Sequence, residues 1–216
     1  MLSEPIESRL AAALRKRYGL EEPEVRVHSG RRAALLAGRP DLVEVSINRL
    51  DHEDLCLRDV KVRAQDIKVS IPEFIRGSFE EGVRDISSEA RIYQGEINGY
   101  LRRNGVRPEG KLELKDGLIL YHLDRELFGL PVSAALELRV IGPCSVRAVP
   151  TGLSLGGARV SLRLLEYLPS LVNNFTFEEL PLGLELRDLE SVEGALIVRA
   201  AREPEREATY ATRERS

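Results

Sequence analysis

The sequence predicts an α+β protein in which a strongly curved antiparallel sheet wraps around amphipathic helices, and three observations carry that prediction. The run from Leu55 to Ile71 alternates apolar and polar residues but twice changes phase. An Asp-Gly pair, Asp116-Gly117, separates two alternating runs around Leu112-Leu114 and Leu118-Leu120. The opening residues place Ile6, Leu10, Ala13, Leu14 and Tyr18 at helical spacing. A chain of 216 residues that is 43% hydrophobic and 31% charged is long enough and apolar enough to bury a core without disulfide or metal staples.

Ser3 as N-cap, an acidic first turn and Pro5 start the first helix, and Gly19 ends it after Tyr18. Residues 24–28 alternate as a strand. A short turn of helix over Ala33–Ala37 leads into the break Gly38-Arg39-Pro40, after which Val43, Val45 and Ile47 mark a half-buried strand. From Leu55 the apolar phase slips near Asp59 and again near Gln65-Asp66. A one-residue slip turns every side chain to the other face, so each slip predicts a bulge or turn, and bulges bend their strand.

Pro72 to Gly77 reads as a short turn or helix with Phe74 and Ile75 exposed, followed by the alternating run Ile86, Ser88, Ala90 and Ile92. A second helix carries Ile97, Tyr100 and Leu101 and ends at Asn104-Gly105. Beyond the Asp-Gly hairpin, Val132 to Val140 alternate, Gly142-Pro143 interrupts, and Val146 and Ala148 resume as the return strand. Val160, Leu164, Leu168, Leu171 and Phe175 have helical spacing, kinked or restarted at Pro169. Leu184–Leu189 and Ala195–Ala200 form a closing pair around Glu193-Gly194. One domain is expected over residues 1–200, with a charged tail over 201–216. A short echo, Leu57-Arg58-Asp59-Val60 and Leu186-Arg187-Asp188-Leu189, reads as chance similarity of two strand edges.

The net charge of -3, from 32 basic and 35 acidic residues, supplies no positive field for a nucleic-acid backbone, so nucleic acid is not an expected partner. Only five of the cations are lysines, and arginine binds carboxylate or phosphate bidentately. Cys56 and Cys144 sit among apolar neighbours and read as free thiols. No apolar run is long enough to cross a bilayer, and the start lacks the features of a signal peptide, so a cytoplasmic or membrane-peripheral location is expected.

Catalytic signatures are missing. His28, His52 and His122 have no partner at metal-ligand spacing, and no nucleophile elbow, phosphate-binding loop or dinucleotide fingerprint occurs. The adjacent carboxylates Glu21-Glu22, Glu80-Glu81 and Glu178-Glu179 read as solvated turns. No enzyme, metal or cofactor is therefore expected.

The order of elements is itself informative: an amphipathic helix, Leu35-Leu36-Ala37-Gly38-Arg39-Pro40-Asp41-Leu42-Val43-Glu44-Val45, Leu57-Arg58-Asp59-Val60-Lys61-Val62 and Asp66-Ile67-Lys68-Val69. It continues through Ala90-Arg91-Ile92-Tyr93, the helix around Glu96-Ile97-Asn98-Gly99-Tyr100-Leu101, a Val146–Pro150 strand before a Gly-rich loop, and Leu180-Pro181-Leu182-Gly183-Leu184. Over residues 5 to 200 the chain resembles the bacterial LmeA family of phospholipid-binding proteins. That resemblance implies a fold similar to the tubular lipid-binding proteins, with a curved sheet around a long helix and an elongated apolar groove for acyl chains. Many family members carry a membrane-targeting N-terminus, from which this sequence departs.

On this resemblance the acyl-chain residues are Leu10, Leu14, Ile67, Val69, Phe74, Ile75, Ile97, Tyr100, Leu101, Leu164, Leu168 and Leu171. Arg76, Arg102 and Arg103 are the head-group candidates, set against the commoner reading of helix-end arginines as solvated surface. Phe74, Ile75 and Phe79 read either as core or as a loop that dips into a membrane. The expected partners are a phospholipid or other acyl lipid and, transiently, a membrane surface. The rival expectation is a protein-interaction module whose core is fully packed and holds no lipid.

Overall fold

A computed structural model describes residues 4–30, 40–52, 54–67, 83–163, 174–176 and 180–202. The fold is α+β and mostly antiparallel sheet, in two sheets where the sequence predicts one. The first sheet has six strands: β1 (Glu24–His28), β2 (Leu42–His52), β3 (Leu55–Ile67), β4 (Val83–Tyr93), β11 (Glu185–Val192) and β12 (Ala195–Arg202), in the order β1-β2-β3-β4-β12-β11. The second contains β5 (Gly110–Lys115), β6 (Leu118–Leu127), β7 (Leu130–Gly142), β8 (Ser145–Leu155), β9 (Ala158–Val160) and β10 (Asn174–Thr176). Its order is β10-β8-β7-β6-β5, with β9 also paired to β8. Helix α1 spans Glu4–Tyr18 and helix α2 spans Gln94–Arg103.

The α1 helix stops where Gly19 takes a φ of +65°, a left-handed conformation that glycine adopts without a side-chain penalty. Leu10 is buried with Val25, Val27 and Val43, and Ile6 and Leu14 pack beside it. The Glu7 carboxylate accepts a hydrogen bond from the Val27 N–H at 3.0 Å, fastening the helix to β1.

The phase slip at Asp59 is a bulge. Arg58 faces Arg91 and Lys61 faces Glu89, so two residues of β3 oppose Ala90 alone, and Asp59 has a φ of +49°. The slip at Gln65-Asp66 is not: Ala64, Gln65 and Ile67 pair regularly with Ile86, Asp85 and Val83. The echo at Leu186-Arg187-Asp188 carries a bulge as well, because the register of β11 against β12 shifts between Leu186 and Asp188. The two similar tetrapeptides therefore mark the same kind of strand irregularity.

At the Asp116-Gly117 hairpin, Lys115 pairs with Leu118 and Gly117 alone of the two turn residues has positive φ, at +67°. The helix expected from Val160 to Phe175 is not formed at its ends, since Val160 belongs to β9 and Phe175 to β10. The expected tail begins later than 201, as Ala201 and Arg202 continue β12. The predicted helix at 33–37, the segment 72–79 and residues 164–171 lie outside the described residues.

The sheets meet along β11 and its turn into β12. Gly117 N–H donates to Ser191 O at 2.9 Å, Gly194 N–H to Leu114 O at 3.1 Å, and Leu186 N–H to Pro143 O at 2.7 Å. The Asp116 carboxylate accepts from the Glu193 N–H at 2.9 Å. These bonds pin the hairpin turns of the second sheet to the edge of the first and fix the space between them.

Candidate functional site

That space is a continuous cavity of about 450 Å³. Its walls come from one face of the first sheet, from both helices and from the near half of the second sheet. Strands β2 and β3 contribute Val43, Val45, Ile47, Val60 and Val62; β4 contributes Ala90 and Ile92; β12 contributes Leu196, Val198 and Ala200. Ala13 and Leu14 of α1 and Ile97, Tyr100 and Leu101 of α2 close it on the helical side. Leu112, Leu114, Leu138, Val146 and Phe175 of the second sheet complete it, with Leu180, Leu182, Leu184, Leu186 and Leu189. The period of two along each strand explains this lining, because alternate residues face the same side.

Apart from Ser88, midway along β4, the polar lining groups gather at one end. Leu20 is buried with Ile47, Val60 and Ala90, while Leu14, Leu50 and Leu57 pack beside it, so the last turn of α1 lies over the β2–β3 hairpin. An Arg103 guanidinium N–H donates to the Asp54 carbonyl, which brings the last turn of α2 to the same hairpin. Arg17, Tyr18, Asp51, His52 and Tyr100 line the cavity there. At the opposite end, Leu180, Leu182, Leu184, Leu186, Val146 and Phe175 supply aliphatic and aromatic surface.

Asp51 at this rim is already matched. Its carboxylate accepts from Arg49 Nε at 3.1 and 3.2 Å, and that bond holds its pKa below the ordinary aspartate value. Arg17 lies 5.6 Å over the Tyr18 ring, a cation–π contact, and forms no ion pair among the described residues. Opposite Asp51 on the neighbouring strand stands Cys56, a buried free thiol whose pKa is pushed up by burial and then by its bond to Asp51. Cys144 is free and half-buried.

Of the residues singled out from sequence, Leu14, Ile97, Tyr100 and Leu101 line the cavity. Leu10 and Ile67 are buried in the core cluster behind it and do not line it. Arg102 and Arg103 are exposed on the last turn of α2. Val69, Phe74, Ile75, Phe79, Arg76, Leu164, Leu168 and Leu171 lie outside the described residues. Arg17 lines the cavity without having been singled out from sequence, and Leu180, Leu182, Leu184, Leu186 and Leu189, read there only as strand and family pattern, line it too. Nothing in the sequence distinguishes Arg17 from Arg15 and Lys16 in the same helical turn.

Chemically, the arrangement offers hydrocarbon contact along its length and positive charge at one rim. Among the described residues, no group of three or more His, Cys, Asp or Glu is placed to hold a metal ion. No helix among them is long and apolar enough to cross a membrane. Residues 4–201 match the family described as LmeA-like phospholipid-binding. No curated protein and no solved structure matches the chain.

Proposed function

Because the chain belongs to the LmeA-like phospholipid-binding family, we propose that it is a non-enzymatic carrier that holds phospholipid acyl chains in the cavity between its two sheets, serving lipid transport or envelope lipid homeostasis. The observation that supports this is the cavity itself, about 450 Å³ with aliphatic walls and its charge confined to one end. That volume falls within the ~300–1,000 Å³ of ordinary small-molecule sites. Water fills such a space poorly, because each buried water needs two to four polar partners. Hydrocarbon suits such a space, since each methylene taken from water contributes about 0.8 kcal/mol.

The head group is placed at the polar rim, with its phosphate on Arg17 and with Arg102 as a second cation at the same end. Exposed arginine forks suit phosphate because they offer two parallel donors. Acyl chains then run toward Leu182, Leu184 and Phe175, enclosed much as tubular lipid-binding proteins enclose theirs. The lipid is taken up from and returned to a membrane surface.

Mass spectrometry of organic extracts from the purified chain tests this reading. Co-purifying phospholipid in near-stoichiometric amount is the expected result. A chain that extracts clean and takes up no lipid from vesicles would leave the protein-interaction module in its place.

A further inference from the structure

At the end of the second sheet far from the cavity, two hairpin turns lie side by side. One joins β6 to β7 through Phe128-Gly129, and the other joins β8 to β9 through Gly156-Gly157. The Gly156 N–H donates to the Pro131 carbonyl at 2.9 Å, which locks the two turns together. Across residues 127–131 and 155–158 there is no charged or polar side chain. Exposed turns are ordinarily built from Asn, Asp, Ser and Gly; here Leu127 and Leu155 pack against the core of the second sheet, and Phe128, Leu130 and Pro131 are left exposed.

Phe128 is the extreme case. It is 83% exposed and has a φ of +55°, followed by Gly129 at +73°. A bulky residue in left-handed backbone is strained, and Asn or Gly would relieve it. Strain and exposed aromatic surface at one residue mark a surface selected for contact rather than for folding. Leu130 beside it is 44% exposed.

We propose that these paired turns are a bilayer-docking tip, in which Phe128 and Leu130 enter the interfacial region while Arg125 and Arg159 reach anionic head groups. Neither arginine forms an ion pair among the described residues, and both stand on strands leading into the tip. Asp124 and Glu126 lie on the same approach, so the tip is not strongly cationic and apolar insertion must carry most of the binding. A protein partner fits less well. A stable interface needs about 800 Å² from each side, several times what one phenylalanine and one half-exposed leucine present. The tip is also separate from the cavity, since Leu112, the lining residue nearest it along the sheet, stands level with Ala134, four strand residues or about 13 Å beyond Leu130.

The proposal rests on reading the chain as a lipid binder that meets membranes, and its test is separable from cavity binding. The chain has no tryptophan, so Phe128→Trp introduces a single reporter. Its emission is expected to shift to the blue on vesicles of equimolar phosphatidylcholine and phosphatidylglycerol, and to be quenched by lipids brominated on the acyl chain. Phe128→Asn, which suits left-handed backbone and so leaves the fold intact, should lower vesicle co-sedimentation on the order of tenfold while co-purifying lipid is unchanged. An insertion signal in a chain that extracts free of lipid would sustain the tip and sink the cavity reading. Emission of the Phe128→Trp variant that ignores vesicles, or Phe128→Asn binding them as the native chain does, overturns the tip. So does a concentration-dependent dimer in sedimentation velocity that Phe128→Asn abolishes, because the tip would then be an interface between copies.

Discussion

Asn98 and Leu112 exchange two hydrogen bonds: the Asn98 Nδ2 donates to the Leu112 carbonyl at 2.8 Å, and the Leu112 N–H donates to Asn98 Oδ1 at 2.7 Å. One helical turn earlier, Gln94 Oε1 accepts from the Leu114 N–H at 2.7 Å. Four helical residues rise about 6 Å and two strand residues about 6.7 Å, so side chains four apart on α2 meet backbone groups two apart on β5. The helix therefore completes the edge of β5 as a neighbouring strand would. Asn98→Ala leaves two part-buried backbone groups without these bonds and should cost about 2–4 kcal/mol. The thermal midpoint is expected to fall by roughly 5–10 °C, and Gln94→Ala, which removes one bond, by about half as much.

Gly110 starts β5 where its Cα faces the adjacent strand closely. A Cβ there would lie 2.4 Å from the His122 carbonyl oxygen and 2.9 Å from the Tyr121 ring. That ring cannot retreat easily, because the Tyr121 hydroxyl donates to the Pro108 carbonyl at 2.6 Å and the side chain is buried. Gly110→Ala should destabilise the chain by about 1–3 kcal/mol in denaturant melts, whereas Gly95→Ala, with nothing within 4 Å, should not.

These contacts lie beyond what the sequence makes visible, and the reasons differ by place. The bulge at Asp59 was legible because a phase slip in a half-buried strand has almost no other cause. At Gln65 the same signal misleads: Ala64 and Ile67 stand on opposite faces by strand geometry, yet both are buried in one cluster. A doubly covered strand end then imitates a slip. Strands β9 and β10 are three residues each, too short to show a period of two, so the leucine spacing between them reads as helix. Phe128-Gly129 lacks the polar residue that announces a tight turn. Whether an inward leucine fills a core or lines a cavity depends on distances across the fold, which no local pattern encodes.

Leu101 is buried and lines the cavity from α2, so replacing it with a larger side chain fills the space in preference to the surface. Leu101→Trp should retain the native circular dichroism spectrum and lose most of the lipid that co-purifies. Lys111→Trp, exposed on β5, is the control and should keep it. Equal lipid content in the two variants would remove Leu101 from the binding surface.

Glu113 accepts from His122 Nε2 at 2.9 Å and from Lys115 Nζ at 3.0 Å. The bond to His122 first, and that to Lys115 second, hold its pKa below the ordinary glutamate value. A carboxylate lowered in the folded state adds stability above its unfolded pKa, and that stability is lost as pH falls through the folded value. Glu113→Gln should therefore melt below the native chain at neutral pH, and the gap should close as the pH is taken down below about 4. All three side chains are partly open to solvent, so the gap will be small and will shrink in high salt.

Arg17 is the cation best placed to sort lipids by charge, since it lines the cavity, and Asp51, an acidic lining residue, is already bound to Arg49. A charge-assisted bond to phosphate is worth about 1.5–3 kcal/mol. Removing it should weaken binding by roughly tenfold or more for lipids whose head group is anionic overall. Zwitterionic head groups present the same phosphate with a compensating cation, so their loss should be smaller. Displacement of a fluorescent fatty acyl probe measures both, with Arg17→Gln keeping much of the length and hydrogen bonding of the side chain. If anionic and zwitterionic lipids lose affinity equally, Arg17 acts through its packing on Tyr18 and not through charge. If neither changes, the head group lies elsewhere, and Arg102→Gln becomes the variant that should discriminate between them.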